Sequence, residues 1–183
     1  MKKLYVVRHA EAEHNVADIA NDSTSTKVGL TSKGVQQAEQ LAEKLKNQHF
    51  DAVFTSQLER AIETANYLNS VHKAHMFKDV RLNDIRTGMQ GKPFDEFRKA
   101  LAASTDKWNA HFNDGESFED EKRRTIDFLH SLKDMPYEHI LIVTHGGVAN
   151  IIYGLAHHLT NEETFNRDIG NAAIFSCELE GLL

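Results

Sequence analysis

The chain has 183 residues, 40% of them hydrophobic and 26% charged, which suits one folded α/β-sized domain with a single core and excludes a disordered segment. A formal net charge of -6 with no long basic run argues against nucleic acid or an anionic membrane surface as the main partner. Cys177 is the single cysteine, so no intrachain disulfide forms and a reducing, cytoplasmic setting is expected; its thiol is expected to be a small buried group in a strand.

Lys2-Lys3 ahead of Leu4–Val7 falls far short of a signal peptide, whose apolar region runs ~7–15 residues. No stretch approaches the roughly 20 apolar residues of a membrane span. Leu4-Tyr5-Val6-Val7 instead predicts a buried strand of a parallel sheet, ending abruptly in Arg8-His9. Residues 16–29, with the polar run Asn21–Thr26, predict a surface loop. Thr31 is a good N-cap for an amphipathic helix with Val35, Ala38, Leu41, Ala42 and Leu45 inward.

Asp51–Ser56 predicts a second strand, and the helix after it, through Ala61, Ile62, Ala65 and Leu68, places Arg60 in its first turn. A third strand is expected at Ala74–Phe77, followed by a loop over 79–92 punctuated by Gly88 and Gly91. Helical patterns occupy 94–103 and 117–133, the second N-capped by Ser117 with Asp120 completing a capping box. The charges Glu116, Glu119, Asp120, Glu121, Lys122, Arg123 and Arg124 read as a solvated helix face. Ile140–Thr144 predicts a strand running into His145-Gly146-Gly147, then a helix over Val148–Leu159, and Ala172–Leu179 a last strand.

Alternating β and α segments predict a three-layer α/β/α sandwich with a mostly parallel sheet, a single domain over residues 1–183. Residues 79–125 are expected to be a small inserted cap region near the site. Ligands of open α/β sheets bind beyond the carboxyl ends of strands, where Arg8, His9 and His145 emerge. If the two strands are parallel neighbours, both imidazoles share one rim.

Such a site can be a metal centre, a serine hydrolase or a histidine nucleophile. A metal centre asks for a pattern such as His-Glu-x-x-His, which Glu11, Glu13 and His14 beside His9 do not supply. A serine hydrolase asks for a Gly-x-Ser-x-Gly elbow, which is absent. Neutral imidazole attacks phosphorus, guanidinium forks hold a phosphoryl group through bidentate bonds, and an adjacent arginine disfavours imidazolium.

Arg8-His9-Ala10-Glu11-Ala12-Glu13-His14-Asn15 resembles the Arg-His-Gly-x-Thr-x-x-Asn signature of the histidine phosphatase superfamily, the phosphoglycerate mutase-like family. Four further segments extend the resemblance in order: Leu30-Thr31-x-x-Gly34-x-x-Gln37-Ala38, Ser56-x-x-x-Arg60-Ala61-x-x-Thr64-Ala65, Gly115-Glu116-Ser117, and Val143-Thr144-His145-Gly146-Gly147. The resemblance implies that His9 is phosphorylated, that Arg8, Arg60 and His145 form the phosphate pocket, and that Asn15 positions its oxygens. It implies that Gly146 lets the following helix approach, so that amides assist the anion.

The family's proton donor is a glutamate in a Leu-x-Glu-Ile-like segment; here Leu82-Asn83-Asp84-Ile85 puts Asp84 there, with Glu11 as the alternative. Ala10 and Ala12 also depart from the signature, the first costing backbone freedom and the second removing a hydroxyl. The implied reaction is attack by His9 on a small phosphomonoester while Asp84 protonates the leaving alkoxide, then hydrolysis of phosphohistidine, with no metal or cofactor. The alternatives are a cofactor-dependent phosphoglycerate mutase and a catalytically weak phosphate-binding or regulatory module. Arg86, Lys92, Trp108 and His111 of the inserted region are the candidates for substrate selectivity.

Overall fold

Apolar runs too short for helices and bounded by charge become strands. In the computed structural model, which describes residues 1–183, they are β1 (Lys3–Arg8), β2 (Ala52–Thr55), β3 (His75–Lys78), β4 (His139–Thr144) and β5 (Ile174–Glu178). One sheet holds them in the order β3-β2-β4-β1-β5. Three neighbouring pairs are parallel, and β5 closes the β1 edge antiparallel.

Successive side chains of a strand point to opposite faces, and the core divides accordingly. Leu4, Val6, Phe54, Ile140 and Ile142 meet Phe128, Leu129 and Leu132 of α5 (Phe118–Leu132) and Val148, Ala149 and Ile152 of α6 (Gly146–Ala156). Tyr5, Val7, Val53, Leu141 and Val143 meet Leu41 and Leu45 of α2 (Ser32–Leu45) and Ala61, Ala65 and Leu68 of α3 (Glu59–Asn69). The fold is therefore the expected three-layer α/β/α sandwich.

Thr31 caps α2 by accepting from Gly34 N, and Ser117 and Asp120 form the predicted capping box of α5. Between β3 and α5 the chain makes a 3₁₀ turn at Val80–Leu82 inside the predicted loop, then α4 (Phe94–Ala102). Residues 118–125, counted with the inserted region by the sequence, begin α5, which packs on the sheet. No helix is long and apolar enough to cross a membrane.

Three expectations need correction, and one helix lies where the sequence reading places no element. A short helix, α1 (Glu13–Ala17), begins before the predicted 16–29 loop and takes in its first two residues; Asn15 Oδ1 accepts from Ala12 N at its start. A second, α7 (Asn161–Phe165), follows the capping box of Thr160 and Glu163. Cys177 is half-buried because β5 is an edge strand, and burial still pushes its thiol up to about 11. Most consequentially, the charged cluster at the start of α5 is no solvated face: Glu116 and Glu121 are buried.

Candidate active site

The register of β1 on β4 sets Arg8 opposite Thr144, so the next residues, His9 and His145, emerge side by side. The helices that follow, α2 and α6, cover opposite faces, opening a crevice between the two strand ends. His9 N donates to Thr144 O at 2.8 Å, and the two imidazole centroids stand 5.1 Å apart. Both rings therefore stand at one rim of the sheet.

His9 is buried, and its Nδ1 lies 2.7 Å from Ala10 O. A carbonyl only accepts, so Nδ1 carries the proton and Nε2 keeps its lone pair. Burial, reinforced by the Arg60 guanidinium, holds His9 well below the usual imidazole range and keeps the ring neutral. His145 is depressed by the same two causes; its Nε2 pairs with Ser56 Oγ at 2.7 Å, and its buried Nδ1 has no partner.

Arg60 sits in the first turn of α3 with 0% of its side chain exposed. Its Nε donates to His9 Nε2 at 3.2 Å, Nη1 to Asn21 Oδ1 at 2.7 Å, and Nη2 to Asn21 O and Asp84 Oδ2, both at 2.9 Å. Burying a guanidinium is costly unless its donors are matched, and these acceptors take four of its five N–H groups. Arg8 donates from Nη1 to Ile169 O at 2.6 Å and leaves Nε buried without a partner. A Cβ on Gly146 would lie 3.6 Å from the Arg8 guanidinium, so the start of α6 runs directly against it.

Asp84 closes the ring of groups, with Oδ2 3.7 Å from His145 Nδ1. Asn15 lines the cavity beside His14, whose ring lies 5.5 Å from that of His9 and whose burial lowers its pKa to about 3. The cavity, about 880 Å³, is lined by Arg8, His9, Asn15, Asp84 and Gly146, among others. Arg60 and His145 are fully buried and do not line it; they touch the lining residues His9 and Asp84 from behind.

Glu11 is turned away: Thr31 Oγ1 and Lys33 Nζ donate to its carboxylate, both at 2.9 Å, and the Lys33 bond leads in lowering its pKa. It does not line the cavity, which leaves Asp84 as the carboxyl facing the imidazoles. Of the selectivity candidates, Arg86, Lys92, Trp108 and His111 all lie outside the lining. His111 pairs with Asp120 at 2.5 Å, and Trp108 packs edge-on against Phe165. The stretch between β3 and α5 instead supplies Ile85, Thr87, Phe94, Phe97, Arg98 and Lys107.

The departures from the signature are structurally mild. Ala10 adopts no left-handed backbone conformation, so it loses nothing that glycine would supply. Its N–H is taken by Thr64 Oγ1 at 3.0 Å, tying the loop after His9 to α3. Gly34, by contrast, is required: a Cβ there would lie 2.9 Å from Glu11 C and closer still to Glu11 O. Sequence reasoning missed Asn21, the main acceptor for Arg60, which belongs to no recognisable spacing, and Glu121, whose one signal is its place in the apolar stripe of α5. No group of three or more His, Cys, Asp or Glu side chains is arranged to hold a metal ion.

A profile of the histidine phosphatase superfamily (branch 1) matches residues 4–181. An adenosylcobalamin/alpha-ribazole phosphatase of Salmonella typhimurium is 31% identical over 157 residues, covering 82% of this chain and 77% of that protein. A 2,3-bisphosphoglycerate-dependent phosphoglycerate mutase of Thermoplasma acidophilum is 26% identical over 183 residues, covering 98% and 88%. The solved structure of Bacillus stearothermophilus YhfR superposes with a TM-score of 0.84 at 27% identity, covering 97% of this chain and 91% of that one. A profile match over nearly the whole chain, on a fold that carries paired histidines at one sheet edge, decides the assignment: the chain belongs to branch 1 of the histidine phosphatase superfamily.

Proposed function

We propose that the chain is a phosphomonoesterase that transfers the phosphoryl group of a small phosphorylated substrate to His9 Nε2 and then to water. The observation that carries this reading is the state of His9: a buried, neutral ring whose Nδ1 proton is held by a carbonyl and whose Nε2 faces the Arg60 guanidinium. An incoming phosphoryl oxygen takes the place of Nε2 as acceptor for Arg60 Nε, which frees the lone pair for in-line attack.

Arg8 Nε and His145 Nδ1, buried donors or acceptors without partners, and the amide end of α6 at Gly146 are assigned to the equatorial oxygens, with Asn15 at the rim. His145 is proposed to bind as the neutral ring, donating from Nδ1 to a phosphoryl oxygen while its Nε2 accepts from Ser56. Asp84 is assigned to the leaving-group oxygen: it gives a proton to the departing alkoxide and takes one from the attacking water in the second step. With 27% of its side chain exposed, Asp84 is reached by water. That favours hydrolysis over the mutase reaction, which must keep water from the phosphohistidine.

The test is release of inorganic phosphate from p-nitrophenyl phosphate in the presence of chelator, with trapping of an acid-labile, base-stable phosphoenzyme. His9→Ala is expected to lose both signals. Retention of turnover in that variant refutes the mechanism, and efficient interconversion of 3- and 2-phosphoglycerate in place of phosphate release replaces it with the mutase.

A further inference from the structure

Glu121 is a buried carboxyl that the proposed reaction leaves unused. Only 3% of its side chain is exposed, it lines the same cavity as His9 and Asp84, and its Oε1 has no hydrogen-bond partner. Both carboxyl oxygens lie 2.6 Å from where a Cβ on Gly147 would fall. Glycine at that position is what admits the carboxyl against the first turn of α6.

Its one cationic neighbour is committed elsewhere. Arg124 donates from Nε and Nη2 to Glu116 at 2.8 and 3.2 Å and from Nη1 to Arg81 O at 2.6 Å, and stands 3.6 Å from Glu121 Oε1. Burial, opposed by Arg124 and assisted by Asp84, pushes the Glu121 pKa up to about 8. Of the other acids of the lining, Asp18, Asp84 and Glu116 accept from Arg98, Arg60 and Arg124, Asp22 accepts from Thr87 N and Oγ1, and Asp168 is exposed to water 3.7 Å from Arg8.

One turn further along α6, Asn150 Oδ1 is a second buried acceptor with no donor, on the wall of the same cavity. Its orientation is set independently, because Nδ2 donates to Arg167 O at 2.8 Å and a flipped amide would oppose two oxygens. Gly147 and Asn150 are three residues apart and so share one helix face. Two unpaired acceptors on one wall, one of them a carboxyl, ask for a ligand that brings several N–H donors and a positive charge.

We infer that the Glu121–Asn150 wall is a subsite for a protonated amine, so that the favoured substrates are phosphomonoesters whose leaving group carries an ammonium. The inference rests on the phosphatase reading. An ammonium has three donors, enough for both acceptors at once, whereas a hydroxyl has one. Ionising Glu121 at pH 7 costs only about one factor of ten, and a charge-assisted bond in a buried setting outweighs it.

The experiment compares kcat/KM for 2-aminoethyl phosphate and 2-hydroxyethyl phosphate, which differ by ammonium for hydroxyl, with p-nitrophenyl phosphate as reference. The wild-type ratio is expected to favour the amine by about tenfold or more. Glu121→Gln is expected to bring the ratio to within about threefold of unity, and Asn150→Leu to reduce it severalfold should the first variant not fold. A wild-type ratio at or below unity overturns the subsite while p-nitrophenyl phosphate turnover keeps the phosphatase reading. A high ratio that survives both substitutions overturns it equally. If the wild type hydrolyses none of the three esters, the phosphatase reading falls and the subsite falls with it.

Discussion

Replacing Asp84 by asparagine separates proton transfer from geometry. The Asp84 carboxylate accepts one bond from Arg60 Nη2 at 2.9 Å, and an amide oxygen in the same place accepts it too. Arg60 also keeps both of its bonds to Asn21, and Ile85 N still finds an oxygen, so the pocket should hold its shape. Arg60 is fully buried and Asp84 is 27% exposed, so losing the counter-charge while keeping the bond should cost about 1–3 kcal/mol of stability.

What the amide cannot do is exchange a proton. For an alkyl phosphate, losing the general acid should cost about 10²- to 10⁴-fold in kcat/KM, roughly 3–5 kcal/mol of barrier. The p-nitrophenolate group leaves without protonation, so the first step with that ester should slow by only about threefold. The second step still needs a base for water, so Asp84→Asn is expected to give a rapid burst of about one equivalent of nitrophenol, then slow turnover with phosphohistidine accumulated. Rapid-quench kinetics read both phases. Equal slowing of the first step for aryl and alkyl esters, with no burst, would mean that Asp84 positions Arg60 and that the proton comes from elsewhere.

Gly34→Ala should force the loop after His9 away from α2 and cost about 1–3 kcal/mol, read as a drop in thermal midpoint; an unchanged midpoint refutes the close approach. Leu129→Ala, in the fully buried contact of α5 with the sheet, should cost about 2–5 kcal/mol in denaturant titration, and less than 1 would mean that α5 is not packed as described. Stability should peak near pH 6.5. Below that value the unfolded chain protonates His9, His14 and His145, which the folded state keeps neutral, while between about pH 4.5 and 8 the folded state alone holds the Glu121 proton. The balance is two protons taken up on unfolding on the acid side, a loss of about 3 kcal/mol per pH unit, and one released above the peak, a loss of about 1.4. Glu121→Gln should flatten the alkaline limb and steepen the acid limb to about 4 kcal/mol per pH unit, and an alkaline limb that stays steep refutes the buried proton.

The strands and the rim of the site were legible because β1 and β4 combine two independent signals. Each is a short apolar run, and each ends in a histidine, so burial and chemistry are written side by side in the chain. The parallel pairing of the two was a supposition in the sequence and a consequence of the register in the structure. α1 was not legible: five residues show no period, and the helix is held by Asn15 at its start and by Gly29 O, which accepts from Glu13 N. The selectivity candidates failed for a related reason. Long polar side chains between β3 and α5 look like ligand contacts, but Arg86 reaches back towards Glu116 and His111 pairs with Asp120, and the lining takes Arg98 and Lys107 together with Phe94 and Phe97, which read as ordinary core.

The charged run at the start of α5 shows what composition conceals and periodicity can recover. Counted as a cluster, seven charges within nine residues describe a solvated face. Placed on the helix, Glu121 falls in step with Phe118, Thr125, Phe128, Leu129 and Leu132, the stripe that is buried against the sheet, while Glu119, Lys122 and Arg123 fall off it. A carboxyl in an apolar stripe is costly and must be met by a partner, a proton or a ligand. Arg124 meets Glu116 and leaves Glu121 over. On a chain of net charge -6, the cavity that Arg8 and His9 line thus retains, against the first turn of α6, one buried carboxyl that burial keeps protonated until a cationic group arrives to ionise it.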